Sequence, residues 1–451
     1  MKCPYPWLVL AGTIVMLSIG MPAIGFAGQD ISYQSPQIVF SDSDPASMSM
    51  PPEPSGEITL DIALNAAIHR HPSLSASLAE IDARKGAARQ AGALPNPVLF
   101  GEVEQFGGSG DYAGTDAISS RLGIAQAFSL GGKISKQVNE AQTALKIAEL
   151  EHRANIVAII AQVEQRFLQV HTLQEQLRIQ SEQLDIMERT HDVVSKKVKS
   201  GDASPLDIPR SQVELSTARI EIQRTRKAHK SARYALAESW GSLFPLFSSV
   251  SAQYEYADTL SEQELTQTLE QSPAWQLLAG QVTLADAAHK LARANAAPDI
   301  ELGGGYQRFT ETNDHAFFVE LSIPIPVFDR NQGGVAEAAA LRQKAGQDRN
   351  AGFLALRNQL QAAWRDVVAA RQSVFSVDQQ VYPAAQQSYE SIRKAYQAGA
   401  VDIIGLLDAQ RTWVETRALR LEMLNDLETG MIEIRRLTGE RVRTIIERKN
   451  P

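Results

Sequence analysis

Apolar residues recur every seven positions along the longest uninterrupted stretch of the chain. Ile156, Val163, Val170, Leu177 and Leu184 lead to His191 and Val198, with Ile159, Leu173, Met187 and Val194 at the intervening turn. From Ile134 to Ser200 there is neither Gly nor Pro, which predicts a single helix reaching roughly 100 Å at 1.5 Å per residue. A seven-residue apolar period winds such a helix left-handedly against partner helices. After a break at Gly201 to Pro209, Arg210 to Trp240 again lacks both breakers. This stretch predicts an antiparallel return helix, so the pair forms a long hairpin.

The second half of the chain repeats the first. The tip Gly201-Asp202-Ala203-Ser204-Pro205-Leu206-Asp207-Ile208-Pro209-Arg210-Ser211-Gln212 reappears as Gly399-Ala400-Val401-Asp402-Ile403-Ile404-Gly405-Leu406-Leu407-Asp408-Ala409-Gln410, 198 residues on. The same offset carries Gly241 to Gly439 and Ser129 to Val327. Leu360, Val367, Val374 and Val381 form a second seven-residue ladder, ahead of a kink expected at Pro383.

Each copy also carries two strand patterns ahead of its long helix. Val98 to Phe106 and Ile118 to Phe128 flank a Gly-rich turn, and Ile300 to Phe309 and Phe317 to Ile323 flank a polar one. Phe317, Val319, Leu321 and Ile323 share one face, opposite Phe318, Glu320 and Ser322; Ile118, Leu122 and Ile124 alternate against Ser119, Arg121 and Gly123. Segments of about 9–11 residues, apolar on one side and polar or small on the other, suit a transmembrane β-barrel that faces lipid outward and water inward. A half-buried soluble hairpin has the same alternation.

Composition narrows the choice. Of 451 residues, 21% are charged, which excludes a polytopic helical membrane protein, and 44 Lys+Arg against 52 Asp+Glu give a net charge of −8, which argues against nucleic-acid binding. Lys2, an apolar run from Trp7 to about Phe26 and Gly25-Phe26-Ala27 read as a signal peptide cleaved after Ala27; an uncleaved anchor is disfavoured by Pro22 and Gly25. Cleavage removes Cys3, the single cysteine, so the mature chain forms no disulfide. No nucleophile elbow, phosphate loop or zinc helix appears, and an enzyme is not expected. No cofactor is expected. Among the histidines, His69 and His71 are two apart, whereas a helical ligand pair needs three or four, so no metal site is expected either.

Four strands cannot span a bilayer alone, because each unpaired edge group facing hydrocarbon costs several kcal/mol and about eight strands is the smallest closed barrel. Subunits must contribute strands jointly. Two chains would give a filled barrel with almost no lumen and three a hollow one, so a homotrimer is favoured. Narrow apolar seams on otherwise polar helices likewise suit staves of a shared cylinder.

Leu94-Pro95-Asn96-Pro97, Phe128-Ser129-Leu130-Gly131-Gly132-Lys133, Pro324-Ile325-Pro326-Val327-Phe328-Asp329-Arg330-Asn331-Gln332-Gly333 and the two tips carry a resemblance to the TolC family of outer-membrane channel proteins, closest to its cobalt-zinc-cadmium heavy-metal efflux branch. The resemblance implies a mainly α channel-tunnel, with coiled-coil hairpins under a trimeric twelve-stranded barrel. It also implies a periplasmic adaptor, an inner-membrane resistance-nodulation-division pump and outer-membrane lipid as partners. The chain then divides into a signal peptide (1–27), a Pro/Ser-rich segment (28–56), a first repeat (57–241), a linker (242–261), a second repeat (262–440) and a tail (441–451). In relatives an aspartate pair in the second tip forms the entrance. The matching positions here are Gly405 and Asp408, with Asp207 and Arg210 in the first tip, so one of the two aspartates is kept.

The resemblance thus makes Asp408, with Asp207 or Asp402, a candidate carboxylate ring that attracts cations, although Asp near a helix N-terminus is also favourable on its own. Arg210 is a candidate latch through ion pairs between hairpins, and Gly201 and Gly399 are the tip turns. The function expected is passive conduction of substrate, divalent heavy-metal cations first. A drug-efflux or type I secretion channel is the alternative within the class, and a periplasmic coiled-coil adaptor or scaffold the alternative outside it. An adaptor would carry one hairpin in a soluble β-domain, not two duplicated ones, and a scaffold has no use for the strands.

Overall fold

A computed structural model of the chain describes residues 52–252 and 261–440. The signal peptide read at 1–27, nearly all of the 28–56 segment and the 441–451 tail lie outside the described residues.

The first copy runs β1 (Gly56–Thr59), α1 (Leu60–Arg70), α2 (Pro72–Ala91), β2 (Val98–Glu104), β3 (Ser119–Ser129), α3 (Lys133–Ser200) and α4 (Asp207–Glu238). The second runs β4 (Phe247–Ser251), α5 (Glu262–Leu269), α6 (Pro273–Ala294), β5 (Asp299–Phe309), β6 (His315–Ser322), α7 (Gln332–Ser376), α8 (Tyr382–Gln397) and α9 (Ile403–Thr438). α3 is the expected rod, unbroken over 68 residues. The first repeat, read from residue 57, opens with a strand rather than a helix, because β1 pairs in parallel with β4. The segment read as a linker therefore contains a strand, and its Phe247 and Val250 are fully buried.

Both hairpin tips end their first helix in the same way. Gly201 (φ 84°) and Gly399 (φ 78°) take the left-handed conformation that a Cβ penalises. The N–H of Asp202 donates to the Lys197 carbonyl at 2.8 Å and that of Gly201 to Val198 at 3.2 Å; Ala400 to Ala395 (2.9 Å) and Gly399 to Tyr396 (3.1 Å) repeat the pair. These bonds satisfy carbonyls that a helix end leaves open. A kink is expected at Pro383, and the second long helix departs from regular α geometry just ahead of it. It widens into a π turn over Val377–Val381 just before α8, since proline has no N–H to give one turn back and its ring pushes that carbonyl away.

The heptad residues line the seams. Val163, Val170 and Val194 of α3 and Val367 of α7 are fully buried. Val163 and Val170 pack with α1, α4, β1 and β4 in one cluster, while Leu360, Val367 and Val374 pack with α5 and α9 in its counterpart.

The other strands form one antiparallel sheet in the order β2-β3-β5-β6. β2 stops at Glu104 rather than Phe106 because Gln105 turns the chain with φ 62°, and β6 stops at Ser322, ahead of Pro324, which cannot donate to a ladder. The 198-residue offset accordingly slips at this point: Ser129 ends β3, whereas Val327 lies beyond the end of β6. Lys133, at the foot of α3, binds Asp299 at the start of β5 at 2.8 Å and ties sheet to rod.

Candidate functional site

Register divides the sheet into two chemically different faces. Leu122 opposes Tyr306 and Ile124 opposes Gly304, with Phe317, Val319 and Leu321 on the same side of β6. All these large residues are exposed, Phe317 by 84% and Val319 by 81%. The opposite face pairs Glu102 with Arg121, Arg121 with Gln307, Phe100 with Gly123, and Gly303 with Glu320. One side is thus built for hydrocarbon and the other for water. Among the described residues, no strand pairs the outer edges of β2 and β6.

At the far end of the helices the two tips meet. Val194 of α3 packs against Tyr389 and Tyr396 of α8 and Ile403, Leu406 and Ala409 of α9. Lys197 donates to the Tyr396 carbonyl at 3.3 Å and its ammonium sits 4.3 Å from the Tyr396 ring centroid. Burial, helped by the charge of Asp207, pushes the Tyr396 phenol up.

Each of the expected tip residues is engaged within its own hairpin. Asp402 is the N-cap of α9, its carboxylate accepting from the Gly405 N–H at 2.9 Å. Asp408 is paired with Arg411 one turn on. Asp207 is largely shielded and lies 3.7 Å from Arg210 in the same helical turn. In the isolated subunit the guanidinium read as a link between hairpins therefore faces its neighbour in sequence.

The polar links between hairpins come from residues the sequence did not single out. Arg417 of α9 binds Glu182 of α3 at 2.7 Å, and Arg178 binds the same carboxylate at 2.8 Å. Burial pushes Glu182 up, but the hydrogen bonds and charges of Arg417 and Arg178 outweigh it and hold the carboxyl below its usual range. Gln410 of α9 donates to Thr190 of α3 at 3.2 Å. Within the second hairpin, Arg420 of α9 grips Asp378, in the π turn, through two hydrogen bonds of 2.6 and 3.3 Å. Glu182 and Arg417 lie far apart in the chain with no shared motif, so no local signal marks them; Gln410 closes the second tip motif, and its twin Gln212 contacts Ser216 in its own helix.

Two histidines hydrogen-bond across helical seams. His152 shares a 2.6 Å hydrogen bond with Ser77 of α2 and His191 one of 2.8 Å with Ser211 of α4. Burial lowers the pKa of His152, and lowers that of His171 as well. Among the described residues, no three His, Cys, Asp or Glu side chains converge as a metal site would require.

Comparison with known proteins agrees with this geometry. The chain is 29% identical over 416 residues to the cobalt-zinc-cadmium resistance protein CzcC of Cupriavidus metallidurans, covering 91% of this chain and 98% of the relative. Its fold superposes on a membrane protein from Pseudomonas aeruginosa with a TM-score of 0.74 at 18% identity, covering 84% and 90% of the two chains. It superposes on CusC, whose crystal structures concern folding and transmembrane channel formation, with a TM-score of 0.69 at 18% identity, covering 87% and 95%. The fold is that of the TolC-like channel-tunnels. Residues 63–242 and 265–440 both match the outer membrane efflux protein family, and the chain belongs to that family as an outer-membrane efflux channel.

Proposed function

We propose that three copies of this chain close one outer-membrane pore, which passively conducts divalent heavy-metal cations delivered by a resistance-nodulation-division pump through a periplasmic adaptor. The observation that carries this reading is the four-stranded sheet, apolar on one face, polar on the other and unpaired at β2 and β6. Open edges cannot face lipid. A second and a third copy supply the missing partners and bring the barrel to twelve strands, enough for an aqueous lumen that eight would fill. Cations as cargo follow from the similarity to CzcC along nearly its whole length.

In this assembly the tips converge on the threefold axis. Three copies of Asp408, with Asp207 and Asp402, place carboxylates around the periplasmic entrance, where fixed negative charge favours cations over anions. Arg210, whose bond to Asp207 is long and half exposed, swings to a neighbouring hairpin to hold the entrance shut, and such a surface pair is weak enough for the adaptor to release. Gly201 and Gly399 let both tips turn tightly enough to meet.

The test is a deletion strain complemented with the gene and exposed separately to cobalt, zinc and cadmium salts and to large antibiotics. Metal sensitivity restored to normal by the wild-type gene is the expected result. Sensitivity confined to organic compounds would move the cargo to the drug-efflux class, and loss of the pump should reproduce the metal phenotype.

A further inference from the structure

The water-facing side of the sheet carries a feature that the tips do not explain. In one cross-strand row, Phe100 faces Gly123, Gly123 faces Gly305 and Gly305 faces Phe318. The two phenyl rings, 6.1 Å apart, both lean over Gly123. A Cβ there would lie 2.6 Å from the tip of Phe100 and 2.9 Å from that of Phe318. At Gly305 a Cβ would strike the Leu122 carbonyl oxygen. The glycines are thus a recess that lets two large rings lie down on the wall instead of standing up from it.

Arg121 lies over the same recess. Its guanidinium is 4.1 Å from the Phe318 ring centroid, and it reaches Glu102 at 3.2 Å and Glu320 at 3.5 Å. Among the described residues its Nε is buried with no hydrogen-bond partner, so the side chain is held through its terminal nitrogens and its face. One arginine therefore holds two carboxylates and one ring flat against the wall.

We infer that this cluster is a second selectivity element, set in the barrel and separate from the tips, whose bore is kept open by Gly123 and whose charge is set by Arg121. The inference rests on the trimeric pore proposed above. Rotation about the barrel axis then repeats the cluster three times around the lumen, with the three copies of each residue at one height. Each arginine offsets one of two carboxylates, so the ring keeps a modest negative charge for hydrated cations passing it.

Single-channel recording of the full-length protein in planar bilayers under a KCl gradient tests the inference. Gly123→Ala should lower conductance by lifting the rings into the lumen. Phe100→Ala with Phe318→Ala should raise it, alone and on top of Gly123→Ala. Arg121→Gln should shift the reversal potential towards that of K⁺ by freeing two carboxylates. The paired phenylalanine change removes bulk and leaves the glycines intact, so it keeps the question open to measurement even where Gly123→Ala does not assemble. A conducting wild-type channel whose conductance and reversal potential ignore the phenylalanine and arginine changes overturns this inference alone. A wild-type protein that never conducts overturns the pore reading beneath it.

Discussion

At the scale of single residues, charge at the tip is more balanced than the sequence implies. Asp408 shares its carboxylate with Arg411, and Asp207 sits beside Arg210. The Asp408–Arg411 pair is exposed on both sides and worth roughly 0–1 kcal/mol, so it holds nothing together, but both pairs dilute the field at an entrance. Asp408→Ala combined with Asp207→Ala should lower cation preference in bilayer recordings, and unchanged selectivity would remove the ring from the mechanism. Reversing charge with Arg210→Glu places two acids one turn apart. That variant should loosen the tip and sensitise cells to large antibiotics, and unaltered leak would count against the latch. The acids themselves were picked out by the resemblance of the tips to the TolC family, since the 198-residue repeat does not duplicate them. Their partners were less legible: Arg411 is visible at a helical spacing of three, whereas the capping role of Asp402 depends on where α9 begins.

At the scale of elements, the seam between α3 and α9 joins the two copies. Arg417 is nearly buried, so removing its partner leaves a guanidinium without a counter-charge. Because Glu182 is half exposed, Glu182→Gln should cost about 1 kcal/mol or less, read as a small fall in thermal midpoint of the helical signal, and it should do so with the barrel strands intact. The seams that α3 makes with its neighbours are also sensitive to acid. Burial depresses the pKa of His152 and His171 below the ordinary 6.5, so between the folded and unfolded values the unfolded chain binds more protons. Stability is then complete above about pH 6.5 and drains away as pH falls through the depressed values. A thermal midpoint that drops between pH 7.5 and 5, with a smaller drop in His171→Gln, is the expected pattern. The rod, its return helix and the buried valines could be read from period and breakers alone. The strand at Phe247–Ser251 could not, because five residues give too little alternation and its partner β1 lies nearly 200 residues away. The break at Pro72 was equally hidden: a proline in the first turn of a helix is favourable and leaves the apolar pattern on either side intact.

At the scale of the whole molecule, one subunit is an unfinished object, and its two sheet faces should respond to the same substitution in opposite ways. Val319 and Ala316 lie on the same strand but on different faces, Val319 with the exposed apolar side chains and Ala316 opposite Gln307 on the polar side. In an isolated water-soluble subunit Val319 is already bare, and Val319→Arg would cost nothing or add solubility. In a lipid-facing wall the same arginine costs about 2–4 kcal/mol near the bilayer midplane and about 0–1 near its surfaces. Ala316→Arg, aimed into a water-filled lumen, should be tolerated wherever it falls in depth. Outer-membrane fractions run unheated and heated on denaturing gels report the folded trimer directly. The expected result is a depleted heat-modifiable band for Val319→Arg and a normal one for Ala316→Arg; equal bands for both would mean that neither face meets lipid, and would return the molecule to the periplasmic scaffold class.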